Sequence, residues 1–463
     1  MIINQSSGRG SSSSNNSQVG DMLYTERKPD MSKWLECNGA QISTSEYKEL
    51  FNVLGKKYGS QGDVAATVRS NVDSGFVHQP IILNNGKAII DEFNGNNTIA
   101  RYILDLSTGN YTQASNANTR QRSYYHNTAV VLPDGDVIAQ CADYKVSSYS
   151  YKGVLSRISN IDTNSSTTTQ LSSLIFGSSY YNSVYYCTAQ IVHDAKNSRY
   201  LILVPKNNTS SDEDGAPYWD YYYQLYSTTD FNSFTLLIDN MNYNSRPYEL
   251  IAAGENIYIR PMYVWGDSPV YILENNSFQQ ITTKDLSWIS YCNGFYYATK
   301  GYNSTSEPTG IYYSSDGKKF SQLYNVTNFF KLYISTSSAN TQSFTAYITP
   351  YSENEILIQS SGYVYSDSST CGAYGGIYRV NNDGTLTLKN IYYSYSDSSW
   401  RSATYVVTDG NVVIWKNSTT IYRALAYPTH FKLPSFYNAY GATNSSYHGT
   451  TATSPTPYIR AKD

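Results

Sequence analysis

Residues 71 to 427 repeat one pattern, in which two short apolar runs flank a tight turn, and this repeat limits the possible folds more than any other feature. Phe76–Ile90 turns at Asn85-Gly86 and Tyr124–Ile138 turns at Asp134-Gly135, about 50 residues later. Asn-Gly and Asp-Gly are typical of β-hairpins. Weaker copies follow at Arg199–Val204, Glu255–Ile259, Asn293–Tyr297, Glu353–Ile358 and Thr408–Trp415. Four-stranded repeats of 40–50 residues are typical of β-propellers, so we predict about seven blades, with a pair of β-sandwiches as the alternative.

Composition agrees with a mainly β chain and excludes several protein classes. Charged residues make up 15% of the chain, against roughly 25% in ordinary soluble domains. The 33 Lys and Arg do not exceed the 36 Asp and Glu, so nucleic acid is not an expected partner. No run of about 20 apolar residues occurs, which predicts no membrane insertion. The N-terminus lacks a basic segment followed by an apolar one, so no signal peptide is expected.

The five cysteines are widely spaced and form no Cys-x-x-Cys pair, which argues against a disulfide framework or a structural zinc site. We expect them to be buried or half-buried free thiols. They are Cys37, Cys141, Cys187, Cys292 and Cys371.

The two ends of the chain differ from the repeats. Residues 1–19 are rich in Ser, Asn and Gly, which predicts a flexible attachment segment. Residues 20–62 contain the one convincing helix pattern, with Ser43 or Thr44 as the N-terminal cap and Gly55 at the end. Its apolar face is formed by Tyr47, Leu50, Phe51 and Leu54.

Residues 20–62 resemble the first half of the phage tail collar domain, through Trp34-Leu35, Cys37-Asn38-Gly39, the helix and Tyr58-Gly59. Residues 431–460 resemble its close, through Phe431-Lys432-Leu433-Pro434 and Pro457-Tyr458-Ile459-Arg460. The resemblance implies a collar core made of Trp34, Leu35, Cys37, Asn38, Gly39, Tyr47, Phe51, Leu54, Leu433, Pro434, Tyr458 and Ile459.

The simplest account is a propeller inserted into a surface loop of a small α+β collar domain, since surface loops tolerate insertions whose ends lie close together. The predicted segments are an attachment segment (1–19), the first collar half (20–62), a kelch-like or aspartate-box-like propeller (63–427) and the second collar half (428–463). The resemblance further implies a homotrimer in the virion tail, at a fibre tip or baseplate, beside other tail or baseplate proteins. Such a protein is made in the bacterial cytoplasm without a signal peptide.

Tyrosine is the most informative residue type, with 49 copies that often stand in pairs. Neighbours on a strand face opposite sides, so we expect one ring of each pair to point outward. Outward rings beside small polar residues suit a bacterial surface glycan, while packing between blades is the alternative role. The candidate glycan-binding residues are Trp219, Tyr221, Tyr222, Tyr223, Tyr312 and Tyr313.

Catalytic and metal motifs are weak. Ser314–Phe320 resembles the aspartate box of sialidases, a structural turn, and we see one good copy. The acidic run Asp212-Glu213-Asp214 reads as a solvated loop; a structural calcium site is the next interpretation and glycosidase carboxylates the last. His78 and His126 hold equivalent places in two repeats, which predicts blade packing rather than metal binding.

We therefore assign no catalytic residue, no metal ligand and no cofactor. The favoured function is a phage tail fibre or receptor-binding protein that attaches to a surface glycan and is not an enzyme. The alternatives are a virion glycan hydrolase on a propeller and a purely structural tail or baseplate protein.

Overall fold

The chain divides into two compact units, residues 1–64 with 425–463, and residues 65–424. The predicted collar boundaries at 62 and 428 lie close to this division. Among the described residues, no helix is both long and apolar enough to cross a membrane. The structure, a computed structural model, describes residues 17–25, 28–55, 58, 60–61, 66–70, 79–94, 98–114, 127–140, 144–145, 151–178, 189–206, 222–241, 248–261, 268–301, 309–330, 344–366, 368–397, 403–417, 419–435 and 456–462.

The first unit contains two small sheets and one helix, and both sheets join the two ends of the chain. Strands are numbered in chain order. The elements are β1 (Met22–Thr25), β2 (Trp34–Glu36), β3 (Gln41–Ser43), α1 (Lys48–Leu54), β4 (Ser60–Gln61), β34 (His430–Lys432) and β35 (Thr456–Arg460). One sheet has the order β1-β35-β2, and the other has the order β3-β34-β4.

Helix α1 confirms the predicted helix but is shorter at its start. Residues 44–47 form a turn, and the Glu46 N–H donates to Ser43 Oγ at 3.3 Å, so Ser43 caps this turn rather than the helix. Gly55 ends the helix with φ +56°, and its N–H donates to the Phe51 carbonyl at 2.7 Å. The Gly55 conformation is one that L side chains rarely adopt.

The core of the first unit combines residues from both ends of the sequence. The Phe51 ring lies 5.3 Å from the Phe431 ring and 5.9 Å from the Tyr427 ring, measured between centroids. The buried members are Cys37, Leu50, Phe51, Phe431, Leu433, Ile459 and Ala461, with Leu35, Tyr47 and Leu54 packed against them. Pro434 and Tyr458 are also buried. Residues on either side of the propeller sequence therefore share one core.

Three residues of the predicted collar core, Trp34, Asn38 and Gly39, are not fully buried. Trp34 is only half-buried, and Asn38 is exposed. The Asn38 side-chain oxygen accepts the Ala40 N–H at 2.9 Å, and Gly39, with φ +77°, donates to the Pro434 carbonyl at 3.1 Å. Asn38 and Gly39 thus form a turn that holds the two chain ends together.

The described residues of the second unit form seven sheets, which we number as blades 1 to 7 in chain order. Blade 1 contains β6 (Ile81–Ile82), β7 (Lys87–Asn94), β8 (Thr98–Asp105) and β9 (Tyr111–Gln113). Blade 2 contains β10 (Ala129–Val131), β11 (Val137–Gln140), β12 (Tyr144–Lys145), β13 (Tyr151–Ser159) and β14 (Thr167–Ser178). Blade 3 contains β15 (Gln190–Asp194), β16 (Arg199–Pro205), β17 (Tyr223–Thr228) and β18 (Thr235–Met241). In blade 2, β11 and β12 pair with successive parts of β13, so together they occupy a single strand position of the sheet.

The remaining four blades have four strands each. Blade 4 contains β19 (Tyr248–Ala253), β20 (Asn256–Pro261), β21 (Val270–Glu274) and β22 (Ser277–Thr282), and blade 5 contains β23 (Ser287–Cys292), β24 (Phe295–Lys300), β25 (Gly310–Ser314) and β26 (Ser321–Asn325), followed by α2 (Val326–Phe330). Blade 6 contains β27 (Phe344–Ser352), β28 (Glu355–Ser366), β29 (Ser368–Val380) and β30 (Leu386–Asp397). Blade 7 contains β31 (Ala403–Asp409), β32 (Val412–Asn417), β33 (Thr420–Leu425) and β5 (Ala66–Arg69).

The seven sheets form a closed β-propeller, as the sequence predicts. The first strands of consecutive blades contact each other from blade 1 to blade 7. Strand β5 precedes blade 1 in sequence yet forms the outer strand of blade 7, where Thr67 pairs with Tyr422. The Arg423 guanidinium donates to the Leu106 carbonyl of blade 1 at 2.6 and 3.0 Å. Blade 7 is thereby built from both ends of the propeller sequence and bonded to blade 1.

The outward orientation predicted for one ring of each tyrosine pair is wrong for two of the pairs, one on the second strand of blade 5 and one on the outer strand of blade 6. Tyr296 and Tyr297 are 7% and 0% exposed, and Tyr392 and Tyr393 are 2% and 8% exposed. The rings of a pair do face opposite sides of the strand, but each blade packs against a neighbour on both sides. Both faces of a blade are therefore interior, as in other sheets covered on two faces.

Buried tyrosine hydroxyls also bond one blade to the next. The Tyr258 hydroxyl on β20 donates to the Gly317 carbonyl of blade 5 at 3.0 Å. The Tyr297 hydroxyl on β24 donates to the Gly384 carbonyl of blade 6 at 2.9 Å. Burial raises the pKa of both phenols, so both stay protonated donors. The two residues hold equivalent places, each on the second strand of a blade facing an Asp-Gly turn of the next.

We expect Tyr258→Phe and Tyr297→Phe each to lower the free energy of unfolding by about 1–3 kcal/mol, because a buried carbonyl loses its donor while the ring still fills its space. Urea unfolding followed by tryptophan fluorescence measures the change. Tyr291→Phe, at a ring that is 36% exposed, is the control and should change stability by less than about 0.5 kcal/mol. Equal effects at all three positions would contradict the role of these hydroxyls.

Candidate functional site

A cavity of about 330 Å³, partly open to solvent, lies where the first strands of blades 6, 7, 1 and 2 meet around the propeller axis. This volume is at the lower end of the range found for small-molecule sites. The cavity is lined by Gln79, Pro80, Ile81, Ile82, Asn127, Ala129, Val131, Thr349, Val406, Val407 and Thr408.

Two polar groups of this axial cavity are held in fixed orientations. The Asn127 side-chain amide donates through Nδ2 to the Leu250 carbonyl of blade 4 at 2.8 Å. The Thr349 hydroxyl donates to the Val406 carbonyl of blade 7 at 3.2 Å. One N–H of the Asn127 amide and the single Thr349 hydroxyl proton are engaged, so Asn127 Oδ1 and the lone pairs of Thr349 Oγ1 can accept hydrogen bonds.

Among the residues that the structure describes, the lining of the axial cavity contains no ionisable side chain. Its polar groups are the amides of Gln79 and Asn127 and the hydroxyls of Thr349 and Thr408. Such a lining suits a neutral ligand with hydroxyl groups, because an ion placed there would lose water without gaining a charged partner.

The aspartate-box segment forms a closed turn between β25 and β26. Asp316 Oδ1 accepts the N–H groups of Lys318 and Lys319, both at 2.8 Å, and the Ser314 hydroxyl, also at 2.8 Å. These bonds lower the pKa of Asp316 to about 2, the contacts with the two lysine N–H groups being the largest cause. The carboxylate therefore shapes the turn.

A second copy of this turn, not predicted from the sequence, joins β17 and β18. Asp230 Oδ1 accepts the N–H groups of Asn232 and Ser233 at 2.9 and 3.2 Å, and Thr228 Oγ1 accepts the Phe231 N–H at 2.9 Å. Phe231 stands where the first copy has Gly317, with φ +59°. The Thr-x-Asp-x-x-x-Phe spacing of residues 228–234 was the available signal, hidden by the absent glycine.

The pKa of Asp316 predicts acid sensitivity. A folded-state pKa of about 2, below the ordinary 3.8, means that this carboxylate stabilises the fold above pH 4 and that its contribution is lost as the pH falls from about 4 to 2. We expect Asp316→Asn to reduce the loss of stability over this interval, measured by urea unfolding at pH 5, 4, 3 and 2.5. Glu353→Gln, at an exposed carboxylate outside the turn, is the control. An unchanged pH slope in Asp316→Asn would contradict the assignment.

The structure removes two of the predicted glycan-binding residues. Tyr223 is 1% exposed and Tyr312 0% exposed, and each packs in a core between adjacent blades. Tyr313 is half-buried, with its ring 6.4 Å from that of Phe295. Tyr222 is half-buried and remains a candidate glycan-binding residue. Trp219 and Tyr221 lie outside the described residues.

The proposed calcium ligands Asp212, Glu213 and Asp214 also lie outside the described residues, as do His78 and His126. Within the described part of the chain, no group of three His, Cys, Asp or Glu side chains is placed to hold a metal ion.

Two cysteines, Cys37 and Cys292, are buried free thiols, as predicted. Burial raises the pKa of their thiols to about 12 and about 11. The side chains of Cys141, Cys187 and Cys371 are outside the described set.

The axial residues were not among the sequence candidates, although a signal for two of them was present. Gln79 and Asn127 hold equivalent places in the first two repeats, each directly after a histidine. Repeated amides at the start of a propeller's first strands point to the axis. Thr349 and Thr408 have no comparable signal, because single threonines are common in strands.

Comparison with known proteins identifies one domain. Residues 22–69 match the phage tail collar domain family. No curated protein sequence matches the chain.

The similar solved structures share little sequence. A polysaccharide lyase of family PL25, an ulvan lyase, is 10% identical with a TM-score of 0.43, over 81% of this chain and 95% of the lyase. A prolyl endopeptidase is 11% identical with a TM-score of 0.37, over 76% of this chain and 55% of that protein. Pyrococcus horikoshii acylaminoacyl peptidase is 10% identical with a TM-score of 0.36, over 73% of this chain and 49% of the peptidase. The chain thus spans about half the length of these peptidases.

Proposed function

We propose that this chain, whose residues 22–69 are a phage tail collar domain, is a tail fibre or receptor-binding protein that attaches to a bacterial surface glycan through its propeller. The collar domain implies association with a phage tail. The fibre position, the glycan and the homotrimer are the further parts of the proposal.

The observation that carries the proposal is the shared core of the collar unit. Phe51 precedes the propeller and Phe431 follows it, yet their rings lie 5.3 Å apart. The collar unit is therefore complete only when both ends of the propeller return to it. Such an insertion supports a role in which the collar unit attaches to the tail while the propeller makes a separate contact.

The chemistry of the propeller supports a neutral glycan as that contact. Charged residues are scarce, and the described lining of the axial cavity combines amides, hydroxyls and apolar side chains. Saccharides offer hydroxyl groups and apolar ring faces to such surfaces. If the protein is a trimer, three weak sites acting together would raise the overall affinity by about 10²–10⁴.

The test uses the intact purified chain and cells of candidate hosts. Bound protein is followed for several hours while released reducing ends are measured in parallel. We expect stable binding without release of reducing ends. Binding that decays as reducing ends accumulate would favour a glycan hydrolase, and absence of binding to every host tested would favour a structural tail protein.

A further inference from the structure

We propose that the axial cavity of the propeller is a binding site for one neutral pyranose unit, whose hydroxyl groups donate to Asn127 Oδ1 and Thr349 Oγ1. This inference rests on the proposed function and names the part of the propeller that holds the receptor. It places recognition at the axis rather than at the tyrosine-rich positions that the sequence favours.

The fixed orientation of Asn127 is the first argument. Asn127 precedes β10 of blade 2, and its Nδ2 reaches the Leu250 carbonyl of blade 4 at 2.8 Å. Its main-chain carbonyl also accepts the Ile191 N–H of blade 3 at 2.6 Å. Three blades thus hold this residue, and the planar amide directs Oδ1 away from Leu250. A ligand in the cavity meets an acceptor that needs no reorganisation, which favours binding.

Thr349 supplies a second oriented acceptor from another strand of the ring. Its hydroxyl proton is used by the Val406 carbonyl at 3.2 Å, so the oxygen presents lone pairs to the cavity. The first strands of the blades are also sheet edges, and an edge offers main-chain N–H and C=O groups. A ligand hydroxyl group can donate and accept hydrogen bonds at the same time. It therefore suits a site with both N–H donors and oxygen acceptors better than a ligand group that only donates or only accepts.

Charge decides between ligand classes. Among its described residues, the lining includes no Lys, Arg or His to pair with an anion and no Asp or Glu to pair with a cation. Burying an unpaired charge is strongly unfavourable, whereas a neutral ring can place its apolar face on Ile81, Val131 and Val406. The same reasoning predicts discrimination against uronic acids.

The test is saturation-transfer NMR on the intact chain, with rhamnose, galactose and glucuronate as separate probes. We expect transfer to rhamnose or galactose, and at least tenfold weaker binding of glucuronate. Ala129→Leu, which fills the cavity without removing a polar group, should abolish binding. Thr349→Val should weaken it about 2–10-fold, the effect of one neutral hydrogen bond. Thr235→Val, at an exposed position on the outer strand β18, should leave binding unchanged.

The variants also separate this inference from the proposed function. If the wild type transfers saturation to neither neutral sugar, or if Ala129→Leu and Thr349→Val both bind like the wild type, the axial site is wrong. If Ala129→Leu still binds host cells, the receptor-binding function stands and the glycan contact lies elsewhere. Loss of sugar binding and of cell binding together in Ala129→Leu, with unfolding midpoints unchanged, supports both.

Discussion

Replacing Asp91 by Ala is expected to lower the free energy of unfolding of the propeller by about 3–5 kcal/mol, because the change removes a buried carboxylate that accepts from the buried Arg101 guanidinium. Asp91 and Arg101 are cross-strand partners on β7 and β8 of blade 1. The Arg101 guanidinium donates to the two Asp91 carboxylate oxygens at 2.7 and 3.3 Å, and both side chains are 0% exposed. Urea unfolding of the intact chain measures the loss.

The control is a more exposed ion pair of the same region. Lys87 and Asp162 lie 2.8 Å apart with side chains 39% and 16% exposed, so Asp162→Ala should cost no more than about 1 kcal/mol. The double variant Asp91→Leu, Arg101→Met should recover most of the stability lost in Asp91→Ala, because it removes both charges and keeps the volume. A loss in Asp91→Ala as small as that of Asp162→Ala would contradict the buried-pair assignment.

Replacing Phe431 by Ala should destabilise the collar unit by about 3–5 kcal/mol. Phe431 is 0% exposed and packs against Phe51 of helix α1. Removal of its ring leaves a cavity between the first and last segments of the chain. Hydrogen exchange, followed by mass spectrometry on a peptide covering α1, should become at least a hundredfold faster.

The neighbouring residue provides a matched control. Lys432 lies on the same strand and is exposed, so Lys432→Ala should leave the exchange of α1 within a fewfold of the wild type. Unchanged exchange of α1 in Phe431→Ala would show that the chain ends do not share a core, and the insertion of the propeller into the collar unit would be wrong.

Much of the fold was predictable because the signals are local. Asn-Gly and Asp-Gly turns marked Gly86 and Gly135, and the structure gives both glycines positive φ, at +76° and +90°. The helix was predicted from the helical spacing of Tyr47, Leu50, Phe51 and Leu54. Of these, Leu50 and Phe51 are buried. The pairing of β5 with β33 was less accessible, since the four residues Ala66–Arg69 carry no sign that their partner follows more than 300 residues later.

The site was harder to predict, because burial between blades depends on the neighbouring sheet. Tyr223 and Tyr312 have the same local sequence character as an exposed aromatic pair, yet blade packing covers them. Conversely, the repeated amides of Gln79 and Asn127 are visible in the sequence, but the orientation of Asn127 depends on Leu250 in a blade two positions away. The alternation of residues along a strand predicts on which face of the sheet a side chain lies. It does not predict whether a neighbouring blade buries that face.

We propose above that this chain belongs to a phage tail and binds a glycan on the host surface. Binding of the fluorescently labelled intact chain to host cells, before and after periodate oxidation of the surface glycans and before and after protease treatment, tests it most directly. We predict that periodate abolishes binding and that protease leaves it intact. Binding that survives periodate and disappears after protease would contradict the claim and identify a surface protein as the receptor.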